Sequence, residues 1–320
     1  MNNDTRRREF MQAIGMSAAA LAAAAMPAAA GPQSAPCQSG SPRSMGARFR
    51  ELLRSAEPVQ CIAAFDPPSA RLVEMAGYPA IFVGGSDIAL VQGLPDVGLI
   101  SMTEMTTFAA RIIEQTGIPV LADADNGGGS PASAYRTMVA FARAGGGAVM
   151  FEDRIRMERI GQRADVVPQA EMVGRLRAAV DASSDPVVVA RCDALAAGRP
   201  MSETIDRGAA YAEAGAQLLF FAGLRFEDMP KVAAAVRRPL MAQMLADTTL
   251  PRARESRVTI AVYTSLLQDI ALGAVHRALT ELKTTGTMSE TAKLSTPRDV
   301  QSLLTRTREI TDRAAKYRGQ

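Results

Sequence analysis

Ile118-Pro119-Val120-Leu121-Ala122-Asp123-Ala124-Asp125-Asn126-Gly127-Gly128-Gly129-Ser130-Pro131 is the stretch on which the fold turns. Its apolar run, 119–122, has no polar alternation, as expected of a strand buried on both faces of a parallel sheet. Gly117 and Pro119 stop the helical pattern of 103–116 just before it, and Ser130-Pro131 has the chemistry of a new helix start. Seven further apolar runs lie at 60–65, 80–83, 148–151, 187–190, 217–221, 240–244 and 258–262. Helical patterns at 135–144, 171–182 and 204–214 end at Gly145, before Ser183-Ser184-Asp185-Pro186, and at Gly215. Repeated helix–glycine–strand punctuation is a β/α signature, and eight strands at this spacing favour a closed (β/α)8 TIM-type barrel over an open sheet. No GxGxxG follows the first strand, which argues against a dinucleotide fold. The expected domain is a single catalytic barrel over 46–320, C-terminal helices included.

In such a barrel the active site forms at the carboxyl ends of the strands. Polar residues gather there: Asp66 after the first run, Gly84-Gly85-Ser86 after the second, Asp123 and Asp125 after the third, Glu152 and Asp153 after the fourth, Arg191 and Asp193 after the fifth. Alternation along a strand points Asp123 and Asp125 to one side, where like charges are costly without a cation. Glu152 on the neighbouring strand can join them. The donors are hard oxygens, and the single histidine, His276, lies in a late helix, so Mg²⁺ or Mn²⁺ is favoured over Zn²⁺. Helix capping or pairing with arginine is the plainer alternative for these carboxylates. Gly84-Gly85 suits close backbone approach to an anion or a simple tight turn. Arg191 offers a fork for a carboxylate or a structural ion pair with Asp153 or Asp193.

Composition narrows the function classes. Hydrophobic residues make up 48% and charged residues 22% of 320, enough for a sizeable core. A net charge of +3 implies no nucleic-acid surface, and 5% aromatics without Trp disfavour base stacking. Cys37, Cys61 and Cys192 form no CxxC and cannot all pair; the last two sit in apolar runs and read as small buried hydrophobes.

The ordered set Phe65-Asp66-Pro67-Pro68-Ser69-Ala70-Arg71, Gly84-Gly85-Ser86, Gly93-Leu94-Pro95-Asp96, Ala122-Asp123-Ala124-Asp125, Glu152-Asp153 and Ala190-Arg191 resembles the isocitrate lyase / phosphoenolpyruvate mutase superfamily over about residues 50 to 285. The resemblance implies a (β/α)8 barrel, usually a homo-oligomer (dimer or tetramer), with the last helix exchanged between subunits. It implies Mg²⁺ held by Asp123, Asp125 and Glu152, directly or through water, and Asp96 supporting the metal–substrate assembly. Gly84, Gly85 and Ser86 would bind the substrate carboxylate and oxo group, and Arg191 would clamp it. The lyases' Cys-bearing loop is replaced by Glu158-Arg159-Ile160-Gly161-Gln162, so Ile160 stands where the acid/base thiol would be. That argues against ordinary isocitrate or methylisocitrate cleavage. The pattern looks closest to the oxaloacetate decarboxylase branch, with a small 2-oxo acid as substrate and a metal-stabilised enolate. A phosphonate mutase or C–P hydrolase, and a barrel that binds a dicarboxylate without turnover, are the alternatives.

The N-terminus reads as an address. Arg6-Arg7-Arg8-Glu9-Phe10-Met11 precedes an apolar run at 13–25 and Ala28-Ala29-Ala30. A basic region, a short apolar core and small residues at a cleavage site define a signal peptide, here of twin-arginine type over 1–30. The run is too short and Ala-rich for a transmembrane helix. Residues 31–45, rich in Gly, Pro and Ser, read as a linker. The expected destination is the periplasm, with no membrane span after signal removal.

Overall fold

A computed structural model describes residues 44–155 and 165–318. Eight parallel strands close into a barrel in sequence order: β1 (Val59–Ala63), β2 (Ala80–Val83), β3 (Val120–Asp123), β4 (Ala148–Glu152), β5 (Val187–Cys192), β6 (Leu218–Phe221), β7 (Leu240–Gln243) and β8 (Val258–Tyr263). Every run marked by hydrophobicity is a strand, within a residue or two at each end. β3 and β4 continue into the carboxylates Asp123 and Glu152, and β5 runs through Arg191 to Cys192.

Period-two alternation sorts the strand residues into two cores. Cys61, Phe82, Leu121, Met150, Val189, Leu218, Met241 and Val262 fill the barrel interior. Ile62, Val83, Ala122, Val149, Ala190 and Leu219 face outward, where Met105, Ile112, Met138, Phe141, Met172 and Leu176 of the surrounding helices cover them. Helix Met45–Leu52 inserts the fully buried Phe49 into the inner core; burying such a ring stabilises by about 1.5–3 kcal/mol. This helix reaches Asp185, at the entry to β5, through Arg50, which donates to the Asp185 carbonyl at 2.7 Å. Only glycine fits at Gly46, because a Cβ there would overlap the Asp185 carbonyl.

Local signals set the helix ends. Ser101 and Glu104 form a capping box on Met102–Gln115. Ser130 caps Pro131–Ala144, which ends on left-handed Gly145 (φ 84°).

Two boundaries differ from the expectation. Ser44 is a helix cap and Met45 is already helical, so the linker read over 31–45 stops before Ser44. The single domain read over 46–320 divides: Ser44–Glu74 with Tyr78–Leu272 form the barrel unit, and Met75–Gly77 with the chain from Gly273 onward cluster separately. That second unit holds the end of helix Leu266–Thr285, a 3-10 turn at Thr291–Leu294 and helices Arg298–Leu304 and Thr307–Lys316. Within it, the Glu281 carboxylate accepts from the backbone N–H groups of Glu290 and Thr291, both at 2.9 Å. The signal segment, Cys37, most of the linker and the loop carrying Glu158–Gln162 lie outside the described residues. Among the described residues no helix is long and apolar enough to cross a membrane.

Candidate active site

Asp123, Glu152 and Arg191 continue the inward-facing alternation of Leu121, Met150 and Val189, so the barrel points all three toward its axis. The strand register sets Glu152 beside Arg191 and Arg191 beside Phe220. Asp123 accepts the Asp125 N–H on Oδ1 at 2.9 Å and the Gly85 N–H on Oδ2 at 3.4 Å. This turn holds Asp125 in the left-handed region (φ 44°), and the Asp125 carbonyl accepts the Glu152 N–H at 2.8 Å. The two aspartates converge on one glycine. A Cβ on Gly85 would stand 2.8 Å from Asp125 Oδ1 and 3.6 Å from Asp123 Oδ2. Gly85 is thus a close-approach glycine.

Glu152 is fully buried and turned to the arginine, with its Oε2 3.4 Å from Arg191 Nη1. Arg191 donates from Nε and Nη2 to both Asp193 oxygens at 2.8 Å and lies 5.6 Å from the Phe220 ring centre. Burial alone would lower its pKa; Glu152 and Asp193 outweigh burial and hold it above the usual value. The ion pair foreseen with Asp193 is present, and Arg191 still borders the cavity.

Behind this pair is a buried network that sequence reading did not assemble. Asp153, fully buried, accepts from the Asp193 N–H at 2.7 Å, the Tyr211 hydroxyl at 2.7 Å and Arg207 Nη1 at 3.4 Å. Arg207 also donates to the Val167 carbonyl at 2.9 Å. Burial pushes the Asp153 carboxyl up, partly offset by the Asp193 N–H and the Tyr211 hydroxyl. Cys192 and Cys61 are free and buried, and burial pushes both thiols up, so neither is poised as a thiolate.

Gly84, Ser86, Asp96, Asp123 and Arg191 line one cavity of about 520 Å³. Asp96 is exposed there. Gly85, Asp125 and Glu152 contact that lining through the bonds above. Among the described residues no three His, Cys, Asp or Glu side chains are gathered closely enough to hold a metal ion, the expected set of Asp123, Asp125 and Glu152 included; Asp123 and Asp125 share Gly85 while Glu152 leans on Arg191. Asp66 is a departure from the expected cluster. Its Oδ1 caps helix Pro67–Met75 through the Ser69 N–H at 2.7 Å, and it does not line the cavity.

Asp87, beside the glycines, is 1% exposed. Burial pushes its carboxyl up to about 6, with Asp269 and Asp123 adding to the rise, and neither carboxylate oxygen meets a hydrogen-bond partner among the described residues. An unfolded aspartate titrates near ~3.9. Between these values the folded chain binds more protons, so stability falls as pH rises from about 4 to about 6. Asp87→Asn is expected to flatten that part of the Tm-against-pH curve; an unchanged slope would refute the assignment.

The family model described as phosphoenolpyruvate phosphomutase matches residues 49–283. The 2-methylisocitrate lyase of Salmonella typhimurium is 34% identical over 265 residues, covering 77% of this chain and 88% of that protein. Oxaloacetate acetylhydrolase in complex with 3,3-difluorooxalacetate superposes with TM-score 0.79 at 25% identity, covering 87% of this chain and 99% of that one. Phosphonopyruvate hydrolase in complex with oxalate and Mg²⁺ also gives 0.79 at 25% identity, covering 86% and 99%. With the family match running from the helix that plugs the barrel into the helix that follows β8, the chain belongs to the phosphoenolpyruvate phosphomutase family, and so to the isocitrate lyase / phosphoenolpyruvate mutase superfamily of lyases and mutases.

Proposed function

We propose that this enzyme is a Mg²⁺-dependent carbon–carbon lyase acting on a small 2-oxo carboxylate in the manner of an oxaloacetate decarboxylase. The observation that carries the reading is the convergence of Asp123 and Asp125 on Gly85, in contact with the cavity that Arg191 borders. Two hard carboxylates drawn so close to one backbone segment that a Cβ there would have to displace Asp125 fit a small hard cation. Mg²⁺ commonly takes one or two protein carboxylates and fills its shell with water and substrate. Asp123, Asp125 and Glu152 would hold it, directly or through water, and Mn²⁺ fits the same donors. Bound there, the ion supplies a Lewis acid for a 2-oxo acid's oxygens.

The chain's own groups do the rest. Arg191, fixed by Asp193 and Glu152, presents a preorganised positive charge to the substrate carboxylate. Gly84, Gly85 and Ser86 border the oxo group. The C3–C4 bond breaks, its electron pair moves toward the 2-oxo group, and CO₂ leaves. C3 then takes a proton from water or the Ser86 hydroxyl. No thiol is required, which suits Ile160 at the position where the resemblance places one. Phosphonopyruvate cleavage is the second reading, since phosphonopyruvate hydrolase superposes as well as oxaloacetate acetylhydrolase does.

The test is product formation from oxaloacetate, phosphonopyruvate and 2-methylisocitrate by the purified protein, in Mg²⁺ and in EDTA. Mg²⁺-dependent pyruvate from oxaloacetate above the metal's own background supports the reading; turnover of only another substrate replaces it. Gly85→Ala is expected to weaken Mn²⁺ binding about 10- to 100-fold, because the new methyl displaces Asp125. Titration by electron paramagnetic resonance checks this, and unaltered affinity would count against the metal position.

Two further expectations belong here. Leu272, Val275, Leu279 and Leu282 are exposed along helix Leu266–Thr285 at spacings that repeat on one helical face. This supports a homo-oligomer in which that helix packs on another subunit, testable by sedimentation. Arg7-Arg8-Glu9-Phe10 supports export to the periplasm, testable by fractionation and N-terminal sequencing of the exported protein.

A further inference from the structure

The inward positions at the carboxyl ends of the strands divide into two halves. β3 to β5 supply Asp123, Glu152 and Arg191. β6 to β8 and the segments just after them supply Phe220, Gln243, Leu245 and Thr264 to the same cavity. The only side-chain pair among those four that bonds is neutral: Gln243 Nε2 donates to Thr264 Oγ1 at 2.7 Å. Met241 forms the floor beside Phe220, and Phe226 adds a second ring. Two cations also border this half. Arg225 is held by Asp228 at 2.9 Å, and Arg252 stands over the Phe226 ring at 5.5 Å with its charge paired to Glu227. Both are largely exposed, with their charges already matched.

We infer that the β6–β8 half of the cavity is a subsite for an uncharged alkyl or aryl group on the substrate, so that the preferred substrates are 2-oxo acids with an apolar substituent at C3. The inference rests on the 2-oxo acid reading of the charged half and adds what lies opposite it. A carboxylate placed against Phe220, Met241 and Leu245 would lose hydration, and the donors that border them are already engaged, Gln243 with Thr264, Arg225 with Asp228, Arg252 with Glu227 and Arg191 with Asp193. An alkyl group there is removed from water, which is worth about fourfold in affinity per buried methylene, from ~0.8 kcal/mol each. The departing carboxyl of a decarboxylation needs no firm anchor, so a C3 substituent can occupy this half without disturbing the cleaved bond.

Binding separates this inference from the lyase reading. The protein with Mg²⁺ would be titrated calorimetrically with oxalate, pyruvate, 4-methyl-2-oxopentanoate, phenylpyruvate and 2-oxoglutarate. The branched or aryl acid is expected to bind at least tenfold tighter than pyruvate, with 2-oxoglutarate no tighter than pyruvate. In Leu245→Lys, a change at an exposed position, the order should turn toward 2-oxoglutarate while oxalate, which has no tail, keeps its affinity. Tighter binding of 2-oxoglutarate by the unaltered protein, or an unchanged order in the variant, overturns the subsite. Absent turnover of oxaloacetate and of its 3-alkyl and 3-aryl derivatives, with the apolar preference intact, would overturn the lyase reading and leave the subsite standing. Failure of oxalate and every 2-oxo acid to bind overturns both.

Discussion

Asp123→Asn is expected to lower kcat/KM by about a thousandfold, the scale seen when one preorganised electrostatic group is lost from a reacting centre. The side chain keeps its shape, and the Asp125 N–H still finds an acceptor, so the turn that presents Asp125 should survive. What disappears is one of two negative charges beside Gly85, and with it one of the carboxylates that would hold the proposed cation. Circular dichroism and Tm should stay near wild type while the Mg²⁺ concentration for half-maximal rate rises. Steady-state product formation across a Mg²⁺ titration decides it, and a loss smaller than about fivefold would mean that Asp123 is not at the chemistry.

Asp153→Ala should produce the largest loss of stability. The carboxylate is fully buried and meets Tyr211, Arg207 and the Asp193 N–H together. Its removal leaves a guanidinium, a phenol and a backbone donor facing a cavity. Breaking a buried pair in this way costs about 3–5 kcal/mol. For a domain of this size that lowers Tm by roughly 10 °C. Tyr211→Phe deletes one donor and should cost only about 1 kcal/mol. Urea unfolding of both variants makes the comparison. Equal, small losses would show that the network is not a structural keystone. The same network holds Asp193, which orients Arg191, so Asp153→Ala should also depress kcat at temperatures where it remains folded.

The barrel was legible because parallel strands buried on both faces appear as uninterrupted apolar runs, and the glycines and prolines between them mark each turn. The charged half of the candidate site was legible for a related reason. Asp123, Glu152 and Arg191 interrupt those runs at their ends, where a charge without function is costly. Asp66 had the same appearance and serves instead as a helix cap, since a carboxylate before Pro67-Pro68-Ser69 suits either role. The Asp153–Tyr211 bond joins residues 58 apart, and no local pattern announces it. Phe220 was read as strand buried on both faces, and it is strand but only partly buried, because its ring faces the cavity. At Met45, composition read as linker gave way to a helix because Ser44 supplies a cap and Phe49 a place in the core.

Phe49 packs in one cluster with the inward-facing strand residues, so among the described residues the barrel interior is filled by side chains. Substrate and product of the proposed reaction would then share the cavity at the carboxyl ends of the strands, and a product that keeps the 2-oxo carboxylate head would have to leave before the next molecule could engage Arg191. Traffic becomes sequential, and pyruvate should inhibit competitively against oxaloacetate, an outcome that initial-rate measurements at several pyruvate concentrations will confirm or exclude. Under crowded metabolite conditions the enzyme's pace would then follow the emptying of its own threshold as much as the breaking of a bond.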